Sequence, residues 1–313
     1  MYVPPPGRLS VPPKPYHLTQ RPWHTYFKPF LNDCRVWHAP FQSGRVLPDK
    51  AKFPDLKIVL TVHDLNVLYE DKPEAYRQQS LARTQALIDQ SDAIVCISAF
   101  TRDDLVNHCR VGNTPVHIIY NGLNKLQDVA GEGVAHAPAR FLLGIGYLNK
   151  KKNFHAVLPI LQANPELALI IVGQSDDPDY VSYLTALARQ LGVYDRLHLV
   201  GTVSEANKVW YLRHCRALVH PSLAEGFGLP VLEAMQFGKP VFLSRLTALP
   251  EVGGHAAFYF PSFEAEAVQE TYRRGMKACE SPERVAAIIE QAARFDWEKS
   301  ARQYLTVYQS MMN

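Results

Sequence analysis

No two cysteines in this 313-residue sequence stand at C-x-x-C spacing; the five, Cys34, Cys96, Cys109, Cys215 and Cys279, are odd in number and far apart. That excludes a disulfide framework and a cysteine-built zinc site, and it fits a reducing cytoplasm. No apolar run reaches the length of about 18 residues needed to cross a bilayer, and the proline-rich start lacks the apolar core of a signal peptide. Neither sign of charge prevails: the net charge is +3, with basic residues scattered apart from Lys150-Lys151-Lys152, too little to argue for nucleic acid. No D-x-D pair stands at a strand end, since Asp176-Asp177 reads as a polar loop and Asp103-Asp104 as a first helical turn, so no metal site is expected. What is present is ordinary globular material, 47% hydrophobic and 20% charged, in a chain long enough for two cores.

Residues 1–34 place Pro4, Pro5, Pro6, Pro12, Pro13, Pro15, Pro22 and Pro29 among Tyr16, Trp23, Tyr26, Phe27 and Phe30. Prolines so dense exclude a regular helix or central strand, and the aromatics argue against a solvated tail. An irregular arm is expected, its rings suited to burial against the domain behind it or to contact with lipid headgroups. Behind it, strand-like runs at 36–38, 58–62, 93–97 and 116–120 alternate with helical patterns at 74–90 and 101–109, the latter opening with Thr101 and Asp104 at capping-box spacing. Further runs at 141–146, 168–172, 197–200, 217–220, 241–243 and 257–260 alternate in the same way.

Such alternation builds parallel sheets. The stretch 124–139 loses periodicity and gathers Gly131 and Gly133, as a linker does. The expected division is an arm (1–34), a first α/β domain (35–123), the linker (124–139), a doubly wound second domain (140–295) and a terminal helix (296–313) with Trp297, Ala301, Tyr304, Leu305 and Tyr308 on one face. Ligands in these sheets bind beyond the strand carboxyl ends, which singles out His38, His63-Asp64 and Ser98 in the first half. Asn121-Gly122 follows its last strand and reads as a plain turn.

The stretch 217–244, ALVHPSLAEGFGLPVLEAMQFGKPVFLS, organises the rest. A buried strand ends at Pro221, a turn follows at Gly226-Phe227-Gly228, and a helix begins near Pro230, whose missing N–H is harmless in a first turn. Gly238 can close that helix in the left-handed conformation, and Pro240 opens the next apolar run. The turn leaves N–H groups at the positive end of a helix, where a phosphate or sugar hydroxyl can be held. Glu225 precedes it and Glu233 falls in the first helical turn, so the two can face one pocket. Glu233 could also simply complement the helix dipole, and the glycines could simply make a tight connection.

Together these residues match, one for one, the glutamate pair of retaining nucleotide-sugar glycosyltransferases. From about Arg35 to its end, and most closely between Leu142 and Phe260, the chain resembles glycosyltransferase family 4. The resemblance implies the GT-B fold, two Rossmann-like domains facing across a cleft. Glu225 would then bond the donor sugar, the backbone N–H groups of Gly226, Phe227, Gly228 and Leu229 the sugar or phosphate, and Glu233 the ribose hydroxyls, where an ionised acceptor forms charge-assisted bonds. The family loop after the first strand of the second domain grips the diphosphate with an Arg and a Lys-Asn pair. Lys152-Asn153 keeps the pair, while Tyr147 stands in the Arg position. Lys150 and Lys151 read as a solvated basic loop.

By the same resemblance His63, in LTVHDL, lines the cleft near the transferred sugar; a histidine there is also often structural. Ser98 either caps its helix or helps bind an anionic group of the acceptor, and His38 is a further acceptor-side candidate. FDWEKSARQYLTVY is similar to the family's terminal helix, which crosses back to the first domain. One departure stands out: no βα unit with a glycine-rich turn precedes Val36, so the first domain reads as short by one such unit. Either the arm replaces it or the reading frame starts inside a longer ancestral gene.

The implied activity is retaining, metal-independent transfer of a hexose such as mannose from a nucleotide-diphosphate sugar to a glycan or lipid-linked acceptor in envelope polysaccharide assembly, in the cytoplasm or on the inner face of its membrane, with the donor phosphate taking the acceptor's proton. The alternative is a nucleotide-sugar-binding relic with an incomplete cleft. An epimerase would need acid and base residues that the sequence does not display.

Overall fold

The structure, a computed structural model, describes residues 2–3, 18–19, 34–42, 47–126 and 137–312. The arm expected at 1–34 lies outside the described residues apart from Cys34 and a two-residue parallel ladder of β1 (Tyr2–Val3) and β2 (Leu18–Thr19). The middle of the expected linker, 127–136, lies outside them as well.

The first sheet is parallel, with β3 (Val36–Ala39), β4 (Lys57–Val62), β5 (Ala93–Cys96) and β6 (Val116–Ile118) side by side in chain order. Strand β5 is a continuous apolar run and β4 is apolar apart from Lys57 and Thr61, because both faces of the two strands are covered. Between the strands run α1 (Glu74–Ile88) and α2 (Ala99–His108). Helix α2 starts two residues before the expected Thr101, because Ser98 is its cap and accepts the Thr101 N–H at 3.0 Å. Asp104 does not reach back as a capping box would; its Oδ1 accepts from Tyr69 Oη at 2.5 Å.

The second sheet is also parallel and has the order β12-β11-β10-β7-β8-β9. Its strands are β7 (Phe141–Ile145), β8 (Ala168–Val172), β9 (Leu197–Gly201), β10 (Ala217–His220), β11 (Val241–Ser244) and β12 (Phe258–Phe260). Seven helices follow: α3 (Leu158–Ala163), α4 (Pro178–Gln190), α5 (Glu205–His214), α6 (Leu229–Met235), α7 (Leu249–Gly253), α8 (Ala265–Ala278) and α9 (Pro282–Ala293). Asp177, Ser204 and Ser281 cap α4, α5 and α9 with their side chains. The sheet is a double-sided core: Leu143, Ile170 and Leu218 face one layer of helices, and Leu142, Leu169 and Val219 the other.

The terminal helix, α10 (Trp297–Ser310), leaves the second sheet and closes the open face of the first. Val307 is buried against Val59, Ala93, Val95 and Ile119, with Tyr304 and Tyr308 beside it. The buried stripe therefore runs through Ser300, Tyr304, Val307 and Tyr308; it keeps Tyr304 and Tyr308 of the expected face but is turned away from Trp297, Ala301 and Leu305, the last 55% exposed. Polar anchors set that phase, which an apolar count misses. Ser300 Oγ donates to the Tyr120 carbonyl at 2.6 Å, and the Tyr304 and Thr61 hydroxyls pair at 3.0 Å. Gly122 is not a plain turn either, since a Cβ there would lie 2.2 Å from the Trp297 backbone nitrogen.

Gly122→Ala should therefore lift the start of α10 and destabilise the protein by about 1–3 kcal/mol, the range for forced overpacking. An unchanged urea midpoint would show that α10 is not seated there.

Candidate active site

Strands β7 and β10 are neighbours although β8 and β9 come between them in sequence. Chain connections leave these two strands toward opposite sides, and the crevice at their carboxyl ends is where doubly wound sheets hold ligands. Two segments meet there, 146–153 after β7 and 221–229 after β10.

In the first segment Gly146 has φ +146°, and an added Cβ would come within 2.8 Å of Lys152 Cε, so the glycine makes room for the lysine side chain. Asn149 accepts the Lys152 N–H through its side chain. Asn153 turns the chain with a left-handed φ of 56°, tolerated by asparagine. The sequence places Asn153 among the donor contacts; here it is buried, and its Nδ2 donates to the Pro221 carbonyl at 3.2 Å, tying the two segments together from behind. An α-helix does not begin there: two short 3₁₀ turns precede α3. Tyr147 stands at the rim, 53% exposed.

In the second segment Glu225 gathers three donors on one oxygen. Lys152 Nζ lies 2.5 Å from Oε1, Ser222 Oγ 2.7 Å and His220 Nε2 2.8 Å. Its other oxygen, Oε2, bonds to no described residue, and the side chains of both Glu225 and Lys152 remain 13% exposed. Burial pushes the Glu225 carboxyl up, but His220 and Lys152 beside it prevail and hold it well below the usual carboxylate range. Complete burial pushes His220 down against the pull of Glu225, so a neutral ring donating from Nε2–H fits; its Nδ1 finds no partner among the described residues. The Glu225 N–H donates to Thr247 Oγ1 at 3.0 Å, and Thr247 is held at φ +53°, a strained value for a β-branched residue.

The turn after Glu225 presents the N–H groups of Gly226, Phe227, Gly228 and Leu229, which bond to no described acceptor. Gly226 also brings the lobes together, since a Cβ there would lie 2.3 Å from the His63 carbonyl oxygen. His63 thus meets the turn through its backbone, while its Nε2 pairs with the Pro40 carbonyl at 2.7 Å. Glu233 is the fifth residue of α6 and so opens its second turn, one residue further along than expected, because α6 begins at Leu229. Lys208 on α5 holds its Oε1 at 2.9 Å. Burial pushes the Glu233 carboxyl above its usual value, with Lys208 opposing.

The expectations for His38 and Lys151 are corrected, and of the two readings of Ser98 the helix cap is the one found. His38 does not face the cleft: Nε2 pairs with Thr61 Oγ1 at 2.8 Å and Nδ1 with Tyr308 Oη at 2.7 Å, and burial with His63 nearby lowers its pKa to about 4. Ser98 is wholly buried and caps α2, whose Ala99 and Phe100 N–H groups donate at 2.7 Å to Glu251 of the other lobe, so a carboxylate of the chain itself fills that helix start. Lys151 is not solvated but pairs across the cleft with Glu70 at 2.8 Å, and Lys150 approaches Asp71 at 3.4 Å. His220, Ser222, Thr247, Lys208 and Glu251 escaped the sequence reading. Only the H-P-S-x-x-E spacing offered a signal, for His220 and Ser222; Thr247, Lys208 and Glu251 depend on distant chain meeting in space. A cavity of about 1160 Å³ opens at the opposite, amino ends of the strands beside Arg140, Leu167, Arg216 and Pro240, and touches none of these groups.

The model of Glycosyl transferases group 1 matches residues 134–295, and that of Glycosyltransferase Family 4 matches residues 4–125. The chain belongs to the group 1 glycosyltransferases. It is 27% identical over 298 residues to O-antigen chain mannosyltransferase B of Escherichia coli, spanning 87% of this chain and 74% of that protein. To O-antigen chain mannosyltransferase RfbU of Salmonella typhimurium it is 24% identical over 245 residues, spanning 76% and 65%. The glycosyltransferase superposes on sucrose-phosphate synthase of Thermosynechococcus elongatus with a TM-score of 0.73 at 22% identity, covering 89% of this chain and 74% of that one. On Anabaena HepE, solved in complex with UDP and glucose, the TM-score is 0.69 at 22% identity, covering 88% and 78%. These superpositions speak for the fold, and the fold is GT-B.

Glu225→Gln should cost about 1–3 kcal/mol at neutral pH, the range for a charged hydrogen-bonding partner lost from a largely buried network. Because the folded pKa lies below the ordinary 4.5, the carboxylate's contribution is complete above that pH and fades as pH falls below it. Denaturant melts of both proteins should therefore converge in acid; a constant difference would contradict the ion-paired assignment. Glu251→Ala removes two charge-assisted bonds between the lobes and should lower the melting temperature and expand the particle in small-angle scattering. An unchanged scattering profile would show that this contact does not hold the lobes.

Proposed function

We propose that this glycosyltransferase moves a hexose, mannose in the first instance, from a nucleoside-diphosphate donor to a glycan or lipid-linked acceptor with retention at the anomeric carbon, in the assembly of an O-antigen-type polysaccharide. The observation that carries the reading is the Lys152–Glu225 pair at the switch point, beside the unpartnered N–H groups of the 226–229 turn. The mannosyltransferase names of the two curated relatives support the choice of sugar.

In this reading the donor diphosphate draws Lys152 from Glu225 and lies against those N–H groups, while Glu233 accepts the ribose hydroxyls and Glu225 Oε2 a hydroxyl of the sugar. The bond from the anomeric carbon to the diphosphate oxygen breaks, leaving a nucleoside diphosphate whose growing negative charge Lys152 stabilises. The acceptor oxygen bonds to that carbon on the same face, and its proton passes to the departing phosphate. His63 borders the sugar through the first lobe. No metal is assigned a role, since a fixed cation and backbone donors supply the neutralisation. The reaction belongs to the cytoplasm or its membrane face; no helix among the described residues is long and apolar enough to cross a membrane.

The test is transfer from GDP-mannose and UDP-glucose to an isolated polysaccharide or lipid-linked acceptor, with the product's anomeric configuration read by NMR. The expected result is a retained anomer and a rate unchanged by EDTA, and Glu225→Ala should slow transfer by about 10²–10³-fold, the scale for losing one preorganised electrostatic group. Full activity of that variant would overturn the assignment. Donor binding without any transfer would favour the binding relic.

A further inference from the structure

Helix α5 precedes β10 and packs beside α6 on the same layer of the second sheet. Ser204 caps α5, and Lys208 lies three residues after Glu205, close enough for a salt bridge on one face. Lys208 Nζ is 2.9 Å from Glu205 Oε1 and 2.9 Å from Glu233 Oε1. The three partners differ in exposure: the Glu205 side chain is 65% exposed, Lys208 19% and Glu233 13%. Glu205 is thus an outer brace, and the inner pair is Lys208 with Glu233. Glu233 Oε2 bonds to no described residue.

A carboxylate that is to accept two neighbouring hydroxyls must be ionised, because a protonated carboxyl offers one donor and a poorer acceptor. Burial works against this by pushing the Glu233 carboxyl up, and Lys208 is the one cation opposing it, with Glu205 adding to the rise. The two carboxylates in turn hold Lys208 above its usual range despite burial, so its charge persists across neutral pH. No other titratable group bears on either residue. Lys208 reaches Glu233 from the α5 side and occupies one oxygen, which restrains the side chain and leaves the other oxygen free for a ligand.

We propose that Lys208 is a positioning residue for the donor, holding Glu233 as the acceptor of the ribose diol of a nucleoside diphosphate. The inference rests on the donor-site reading given above. Its test is calorimetric titration of wild type, Lys208→Met, Lys208→Arg and Glu233→Gln with GDP and UDP and with their 2′,3′-dideoxy forms. Lys208→Met should lose about tenfold in affinity for the ribose nucleotides, the scale of one charge-assisted hydrogen bond, and lose nothing for the dideoxy forms. Without Lys208 the Glu233 carboxyl rises further, so affinity for the ribose forms falls away at a higher pH than in wild type and recovers as pH is raised. Lys208→Arg keeps the cation and should stay near wild type. Lys208→Met added to Glu233→Gln should bring no further loss.

Equal loss for ribose and dideoxy nucleotides, or no loss at all, in a wild type that binds nucleotide would overturn the role of Lys208 and leave the donor site standing. A wild type that binds none of the four nucleotides would overturn both. Should Lys208→Met fail to fold, the arginine variant and Glu233→Gln carry the same comparison, because a pH profile of Glu233→Gln as steep as that of wild type would contradict the inference equally.

Discussion

A carboxylate taken out of water must find donors for its lone pairs, and Glu225 meets that demand with a lysine, a histidine and a serine converging on a single oxygen. Much of the surrounding backbone serves this convergence. Gly146 clears the path of Lys152, Asn153 bends the chain so that the lysine turns inward, and Thr247 accepts the Glu225 N–H from a strained conformation. Strain of this kind persists only where neighbours over-determine it, and here it lies beside the charge network. The second oxygen carries no bond to a described residue, and the side chain keeps 13% exposure.

The parallel architecture explains why such a network can sit between two lobes. In both sheets the strand carboxyl ends look into the cleft, so His63 after β4, the start of α2 after β5, Lys152 after β7 and Glu225 after β10 are all delivered to one region. Many contacts across it are polar or made by backbone, such as Gly226 on the His63 carbonyl, Glu251 on α2 and Lys151 on Glu70, while Ile97 joins the apolar cluster of the second lobe. Interfaces of this character resemble transient ones and suit lobes that move relative to each other. Tyr120 adds an apolar element, its ring lying 6.2 Å from that of Phe227 and 5.7 Å from that of Phe295.

The fold was legible from apolar runs, and so was the strand-turn-helix unit at 217–244, because a buried parallel strand writes itself as an unbroken hydrophobic stretch and glycine or proline marks its ends. Helix starts shifted by one or two residues: the Ser98 hydroxyl caps α2 ahead of Thr101, and left-handed Gly228 opens α6 one residue before Pro230. What stayed hidden depends on partners distant in sequence. Nothing around Glu251 in sequence marks its bonds to α2 of the first lobe, and nothing around Lys208 marks its pairing with Glu233 on α6. The face of α10 was legible only in part: Tyr304 and Tyr308 lie on it as expected, but their bonds and that of Ser300 to Thr61, His38 and Tyr120 turn it away from Leu305.

Helix α10 also bears on how the molecule is made. The face of the first sheet that it covers, with Val59 and Val95 at its centre, is synthesised more than two hundred residues before Val307. While the ribosome builds the second lobe, the first therefore waits with one apolar surface unsealed, a period in which holdase chaperones or its own neighbours on a polysome compete for that surface. Sealing of the first lobe's sheet thus waits on a segment that follows the second lobe, and α10 couples the folding of the two.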